Sequence, residues 1–354
     1  MRGHPIETFV AVFKNLVAVI VGLAATVLVL EGTIRLLASS LGLAPYMKYH
    51  PVLGWTAVPG ARKEHKSADP VFDVTYVINE VGFRGPVYER DKRPGVTRIL
   101  LLGDSNGFGW GLPEEATLAS ILDKELDSVE VVNQSLSGYG TDQSYLRFEL
   151  EGLRFKPDIV IVQVTPNDFE EIQSAFFNQK PKPRFVLQAD GGIALTNVPV
   201  EATGPEAERF YERSLPVPFK EWLGWNSFSY NFLNEKYHRI RRARNNEPDG
   251  SPASFSEDSV ALFKAIIGNL SDKLDEIGAK GIIVHTSRDL SEDYSLDGTG
   301  LPVLDLYPTF AHRAPGDDAL FFPDGYHYTA RGNRLMADAV MTELSRLGYF
   351  VHTN

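Results

Sequence analysis

The stretch "RILLLGDSNGFGWG", residues 98–111, decides how this chain folds. An apolar run from Ile99 to Leu102 stops on Gly103-Asp104-Ser105, and three more glycines follow at 107, 109 and 111. A short continuous apolar run that ends at a glycine reads as a strand buried on both faces, and such strands belong to parallel sheets covered by helices. In an open parallel sheet ligands gather at the carboxyl ends of the strands, which puts Ser105 where a substrate sits. A lone Gly-Asp-Ser is also an ordinary strand-to-loop turn. The phosphate-binding fingerprint G-x-G-x-x-G does not fit, because Gly107 and Gly109 require a glycine at 112, where Leu112 stands, and the P-loop lysine is missing.

Strand and helix signals alternate downstream. "EEATLASILDKEL" (114–126) reads as an amphipathic helix, "VEVVN" (129–133) as a second strand, and "TDQSYLRFELEGL" (141–153) as a helix with Thr141 as its N-cap. "DIVIVQV" (158–164) reads as a third strand. The alternation pauses over 169–255, where "RFVLQADGGIALTNV" (184–198) predicts a hairpin turning at Asp190-Gly191-Gly192, and an aromatic-rich piece runs from Trp222 to Tyr237. It resumes with Ser256 capping a helix, "GIIVHTS" (281–287) and "LPVLDLY" (301–307) as strands, and a closing helix from about Thr329 to Leu347. The expected fold is α/β, a three-layer α/β/α domain over 97–350 on a mostly parallel sheet, with an insertion at about 169–255.

Ahead of that domain, residues 38–96 read as a proline-punctuated connecting region with one strand, "VFDVTYVI" (71–78). Before it, the apolar run from Phe9 to Leu30 reaches roughly 33 Å as a helix, enough to cross a bilayer core. We expect residues 1–37 to form a single transmembrane anchor. A cleaved signal peptide is the alternative, with "LASS" (37–40) as a cleavage site, although Glu31 and Arg35 interrupt the approach to it. Arg2 and Lys14 before the span are nearly balanced by Arg35 and Lys48 after it. A long C-terminal domain translocates whatever its charge, so an extracytoplasmic C-terminal domain, periplasmic in a bacterial cell, is expected.

Composition excludes several classes. A net charge of -11 argues against a nucleic-acid partner, since phosphate neutralisation needs clustered Lys and Arg. The chain has no cysteine, so disulfides, thiolate metal sites and a cysteine nucleophile are ruled out. The one basic cluster, "KYHRIRRAR" (236–244), reads as a solvated helix end or as a contact for anionic lipid headgroups.

A serine nucleophile needs a base within hydrogen-bond reach and a group that orients the base. Of the eight histidines, His327 is distinctive: "FFPDGYHYT" places Asp324 three residues before it, just ahead of the closing helix. That spacing lets the carboxylate fold back on the far nitrogen of the imidazole. An acyl-transfer site also needs donors aimed at an oxyanion. "NQSLSGYG" (133–140) offers the Gly138 amide and "TPND" (165–168) the Asn167 side chain, with the Ser105 amide as a third donor. Each alone is commonplace loop chemistry. His238, His285 and His312 show no ligand spacing, so neither metal nor cofactor is expected.

Taken in order, Gly-Asp-Ser at 103–105, Gly138, Asn-Asp at 167–168 and Asp-x-x-His at 324–327 resemble the four blocks of the SGNH (GDSL-type) hydrolases, over residues 98 to about 340. The resemblance implies an α/β/α domain with Ser105 as nucleophile, His327 as base, Asp324 as its orienter, and Ser105, Gly138 and Asn167 as the oxyanion hole. The sequence departs from that pattern at Asn106, where leucine often stands, and at Thr165, where glycine is frequent. Trp110 and Asn106, close to Ser105, are candidates for the substrate wall. The aromatics Trp222, Trp225, Phe228, Tyr230 and Tyr237 suit either the insertion's own core or a sugar or lipid contact.

The expected substrate is a small ester or acylated carbohydrate, and the expected activity is hydrolysis of O-acyl, especially acetyl, esters of envelope or exported polysaccharide. An acyltransferase using the same three residues, or a non-catalytic glycan-binding subunit, are the alternatives.

Overall fold

The apolar runs do form the central sheet. The computed structural model describes residues 5–37, 46–67, 71–177, 180–200, 255–311 and 320–349. Helix α1 (Pro5–Leu37) precedes two antiparallel hairpins, β1 (Met47–His50) with β2 (Gly54–Ala57) and β3 (Arg62–Lys66) with β4 (Asp73–Val77). Next come β5 (Thr97–Leu102), the one-turn helix α2 (Ser105–Phe108), α3 (Leu118–Glu125), β6 (Val129–Asn133), α4 (Thr141–Leu150), β7 (Ile159–Val164) and the one-turn α5 (Asp168–Glu171). A short pair, β8 (Phe176–Phe177) and β9 (Lys180–Pro181), leads into the hairpin of β10 (Arg184–Leu187) and β11 (Ile193–Thr196). The C-terminal part holds α6 (Glu257–Ile277), β12 (Lys280–His285), α7 (Arg288–Glu292), β13 (Val303–Asp305), α8 (Tyr307–Ala311) and α9 (Ala330–Arg346).

The main sheet runs β13-β12-β7-β5-β6, and all four neighbouring pairs are parallel. Alternation along each strand divides the core in two. Ile99 and Leu101 of β5 join Ile159 and Ile161 of β7 under α3 and α9, while Leu100 and Leu102 join Val160 and Val162 under α4 and α6. Helices on both faces make the three layers.

The helix ends follow local chemistry with two differences. Ser256 Oγ accepts the Ser259 amide at 3.1 Å and Thr329 Oγ1 the Gly332 amide at 3.2 Å, as N-caps do. Thr141, by contrast, is the first helical residue of α4, with Gly140 in the cap position, because its hydroxyl donates to Asp168 Oδ1 at 2.9 Å. The helix expected over 114–126 begins as a 3-10 turn, Glu114–Ala116, and restarts where Thr117 Oγ1 caps Ser120 at 3.2 Å.

The stretch read as a connecting region is built into the domain. Leu53, Trp55, Ala57, Tyr76, Ile78 and Phe83 are buried in the same core as α4 and α6. Tyr139 donates its hydroxyl to Trp55 O (2.6 Å), Gln143 its amide to Leu53 O (2.7 Å) and Arg147 to Gly82 O (3.0 Å). Residues 53–57 are buried throughout, while 76–78 turn one face inward, and proline punctuation conceals both in the sequence.

In α1, Phe9–Thr33 is 25 residues long with a mean hydropathy of 2.3 and no buried part. That is long and apolar enough to cross a membrane, a property that an anchor shares with a signal sequence.

Candidate active site

Four loops at the carboxyl end of the sheet meet at Ser105. It opens α2 immediately after β5, and Asp104 turns the chain there by accepting the Asn106 amide on its own Oδ1 at 2.7 Å. Ser105 Oγ lies 2.9 Å from His327 Nε2, a residue 222 positions away. His327 Nδ1 lies 2.7 Å from Asp324 Oδ2. The other carboxylate oxygen, Oδ1, accepts the Tyr326 amide at 2.9 Å and the His327 amide at 3.0 Å, so the loop fixes the carboxylate from both sides. Burial works against ionisation of Asp324, but these hydrogen bonds from His327 and Tyr326 outweigh it and hold its carboxyl below the ordinary aspartate range. An ionised Asp324 aligned on Nδ1 leaves Nε2 to accept a proton from Ser105 Oγ.

Gly138 sits in the left-handed region at φ 79°, and the Phe177 ring stands where a Cβ would be, 2.4 Å away. Any side chain there would force the ring out. Asn167 begins the turn into α5, and its side chain is held at both ends. Oδ1 accepts the Thr165 hydroxyl at 2.6 Å and the Tyr326 hydroxyl, while Nδ2 donates to Glu171 Oε1 at 2.5 Å, leaving the second N–H of the amide. Thr165, which stands where the resemblance leads one to expect glycine, also has its hydroxyl 2.7 Å from Asp104 Oδ2.

One sequence candidate stands differently from its expected place. Asn106, expected on the substrate wall, is 3% exposed, and its Oδ1 accepts the Tyr328 amide at 3.1 Å. It joins the Ser105 loop to the His327 loop. Trp110, the other candidate for that wall, is half-buried and lies flat against His327, ring centroids 4.0 Å apart and planes 18° from parallel. The aromatics expected at 222–237, the basic run 236–244, His238 and His312 lie outside the described residues. His285 is buried, with Nδ1 3.8 Å from Asp305.

Several residues at the site carry no sequence signal. Arg84 donates to the carbonyls of Phe108 (3.0 Å), Gly109 (2.7 Å) and Leu112 (2.6 Å), and so sets the loop behind Ser105. Gly109 and Gly111, at φ 85° and 73°, let the chain double back around Trp110, which accounts for two of the four glycines in the opening stretch. Tyr326 was legible in principle, since it lies inside the Asp-x-x-His spacing.

Beneath Asn167 is a buried acidic cluster. Burial first, and then the charge of Asp104, push Asp168 up to about 7, and burial together with Asp168 pushes Glu171 well above the ordinary glutamate range. The folded state therefore holds a proton on Asp168 that the unfolded chain releases near its ordinary value of 3.8. The stability from this group is complete below that value and is lost as the pH rises through about 7. Between pH 5 and 8 that loss amounts to about 3 kcal/mol. Asp168→Asn, which mimics the neutral form, should gain stability relative to the parent as the pH rises over that interval. Thermal melts at the two pH values read this directly, and a difference independent of pH would contradict it.

The family model described as GDSL-like Lipase/Acylhydrolase matches residues 99–340. Among solved structures, the chain is similar to a lipase/acylhydrolase from Enterococcus faecalis at 17% identity and a TM-score of 0.36, covering 71% of this chain and 97% of that one. It is similar to the psychrotrophic esterase EstA from Pseudoalteromonas at 13% identity and a TM-score of 0.39, covering 71% and 98%. A member of the lipolytic protein G-D-S-L family from Veillonella parvula is similar at 16% identity and a TM-score of 0.36, covering 71% and 100%. No curated protein matches the chain.

Proposed function

Because this chain belongs to the GDSL-like lipase/acylhydrolase family of ester hydrolases, we propose that it is a membrane-anchored serine esterase that removes small O-acyl groups, acetyl above all, from carbohydrate at the cell envelope. The observation that carries the reading is the unbroken chain from Ser105 Oγ through His327 to Asp324, at 2.9 and 2.7 Å. An exposed apolar helix ahead of the domain supports confinement to substrates at a membrane surface, and the proposal places the catalytic domain on the outer side.

In the proposed reaction Ser105 Oγ attacks the ester carbonyl carbon while its proton passes to His327 Nε2. The carbonyl oxygen takes up the negative charge and is met by the amides of Ser105 and Gly138 and by the free N–H of Asn167 Nδ2. Asp324 holds the imidazolium in line. Collapse of the tetrahedral species breaks the bond to the alcohol oxygen, which leaves with the proton from His327. Water then attacks the acyl-enzyme, giving its proton to His327, and the carboxylic acid departs as Ser105 recovers its hydrogen.

Hydrolysis of p-nitrophenyl esters from acetate to octanoate, with an acetylated oligosaccharide alongside, tests this. Acetate turnover exceeding octanoate, with acetate released from the saccharide, is the expected result. A protein that reacts with a serine-directed phosphonate at Ser105 yet hydrolyses no ester would instead pass its acyl group to a sugar hydroxyl. Asn167→Ala should lower kcat by roughly 100- to 1000-fold with KM little changed, as removal of an oxyanion donor does. Equal kcat in the variant would remove Asn167 from the oxyanion site.

A further inference from the structure

We propose that Trp110 is a positioning residue for His327, and that the segment preceding the α/β domain holds Trp110 in place. This rests on the reading of Ser105 and His327 as nucleophile and base. The hydrogen bond to Asp324 fixes one nitrogen of the imidazole but leaves the ring free to rock about that contact, and rocking swings Nε2 off the Ser105 hydroxyl. An indole lying 4.0 Å from the imidazole, 18° from parallel, closes off that motion on one face. Catalytic groups need geometry held to about 0.5 Å and 10–20°, which a single hydrogen bond does not supply.

The indole is itself held from several directions. His65, Phe72 and Phe322 meet it edge-on, with centroids at 5.1, 4.8 and 5.9 Å and interplanar angles of 76°, 77° and 74°. Its backbone is pinned as well. Trp110 N donates to Ser105 O at 2.9 Å, the next amide, Gly111 N, donates to the Tyr76 hydroxyl at 2.7 Å, and Arg84 takes the carbonyl just before it, Gly109 O, at 2.7 Å. The Tyr76 hydroxyl in turn lies 2.5 Å from His65 Nδ1. Burial, then the charges of Lys63 and His327, bring His65 down to about 4, so a neutral imidazole faces the indole at neutral pH. His65, Phe72, Tyr76 and Arg84 all precede residue 97, so the hairpin β3–β4 and the turn after it reach the base through one aromatic side chain.

The test uses the full chain in detergent with p-nitrophenyl acetate, comparing Trp110→Ala, Trp110→Phe, Phe72→Ala, the double variant Phe72→Ala/Trp110→Ala and Ser105→Ala. Trp110→Ala should lower kcat roughly 30-fold with KM within about twofold, and Trp110→Phe, which keeps a flat face, should recover to within about threefold of the parent. Phe72→Ala should lower kcat about tenfold, and the double variant should match Trp110→Ala alone, because Phe72 acts only through the indole. A raised KM at constant kcat would make Trp110 a substrate contact and overturn the proposal, as would additive losses in the double variant. Should Trp110→Ala fail to fold, Trp110→Phe and Phe72→Ala decide by the same kcat and KM split. Ser105→Ala separates the two levels: if it retains activity, the underlying reading fails. If it is inactive while every Trp110 and Phe72 variant matches the parent, only the positioning role falls.

Discussion

Ser105→Ala and His327→Ala should each lower kcat for p-nitrophenyl acetate by roughly 100,000-fold, and the variant carrying both should fall no further. The reason is that in the proposed reaction the two side chains perform one act. Ser105 Oγ is a poor nucleophile until Nε2, at 2.9 Å, takes its proton, and Nε2 has no proton to take once the hydroxyl is gone. Asp324→Asn should cost roughly 10,000-fold, because an amide in place of the carboxylate favours the wrong imidazole tautomer while leaving the loop bonds to Tyr326 and His327 in place. Steady-state rates on the three single variants and one double variant check this. Losses that multiply, or any single variant within tenfold of the parent, would show that the 2.9 and 2.7 Å contacts are not the working chain.

Lys182→Met should destabilise the protein by about 3–5 kcal/mol, read as a fall in Tm of roughly 10 °C. Lys182 pairs with Asp142 where both side chains are fully buried, Asp142 on α4 and Lys182 just ahead of β10. Burial raises the Asp142 carboxyl above its ordinary value even against the attraction of Lys182. Losing the ammonium leaves a carboxylate with no counter-charge in an apolar setting, apart from the Gln143 amide at 2.8 Å. The cost is therefore that of the stranded charge, and it should largely disappear in Lys182→Met/Asp142→Leu, where neither charge is buried. The pair is a fastening between the helix that follows the Gly138 loop and the hairpin beyond it. If the double variant melts as low as the single one, the packing of Lys182 rather than its charge is what matters.

Local chemistry was legible in the sequence wherever it closes within a few residues. The strands at 97–102, 129–133 and 159–164 declare themselves because a strand buried on both faces must be apolar throughout, and Ser256 and Thr329 declare helix starts because a hydroxyl reaches its cap partner three residues on. The contact of Asp324 with His327 belongs to the same class, a loop-sized bond implied by spacing. Thr141 was misread as a cap for the converse reason. Its hydroxyl is claimed by Asp168, 27 residues away, and no local rule sees that competitor.

What the sequence determined by itself is thus the α/β alternation, the glycine-broken end of the first domain strand, a helix long and apolar enough to cross a membrane, and the chemical types available for acyl transfer. What only the tertiary structure decided is who meets whom. Parallel strand order delivers Ser105 and His327, 222 residues apart, to one end of the sheet. Burial turns Asn106 inward to the Tyr328 amide, and the β3–β4 hairpin with the turn after it, in a stretch that reads as a connector, puts Arg84 and Tyr76 behind the serine loop and His65 and Phe72 against Trp110. The physical reason is that aromatic packing and buried hydrogen bonds have no sequence period of their own. They are satisfied by whatever the fold brings near, and the same Trp or Arg reads alike in a core, on a cleft wall or beside a base.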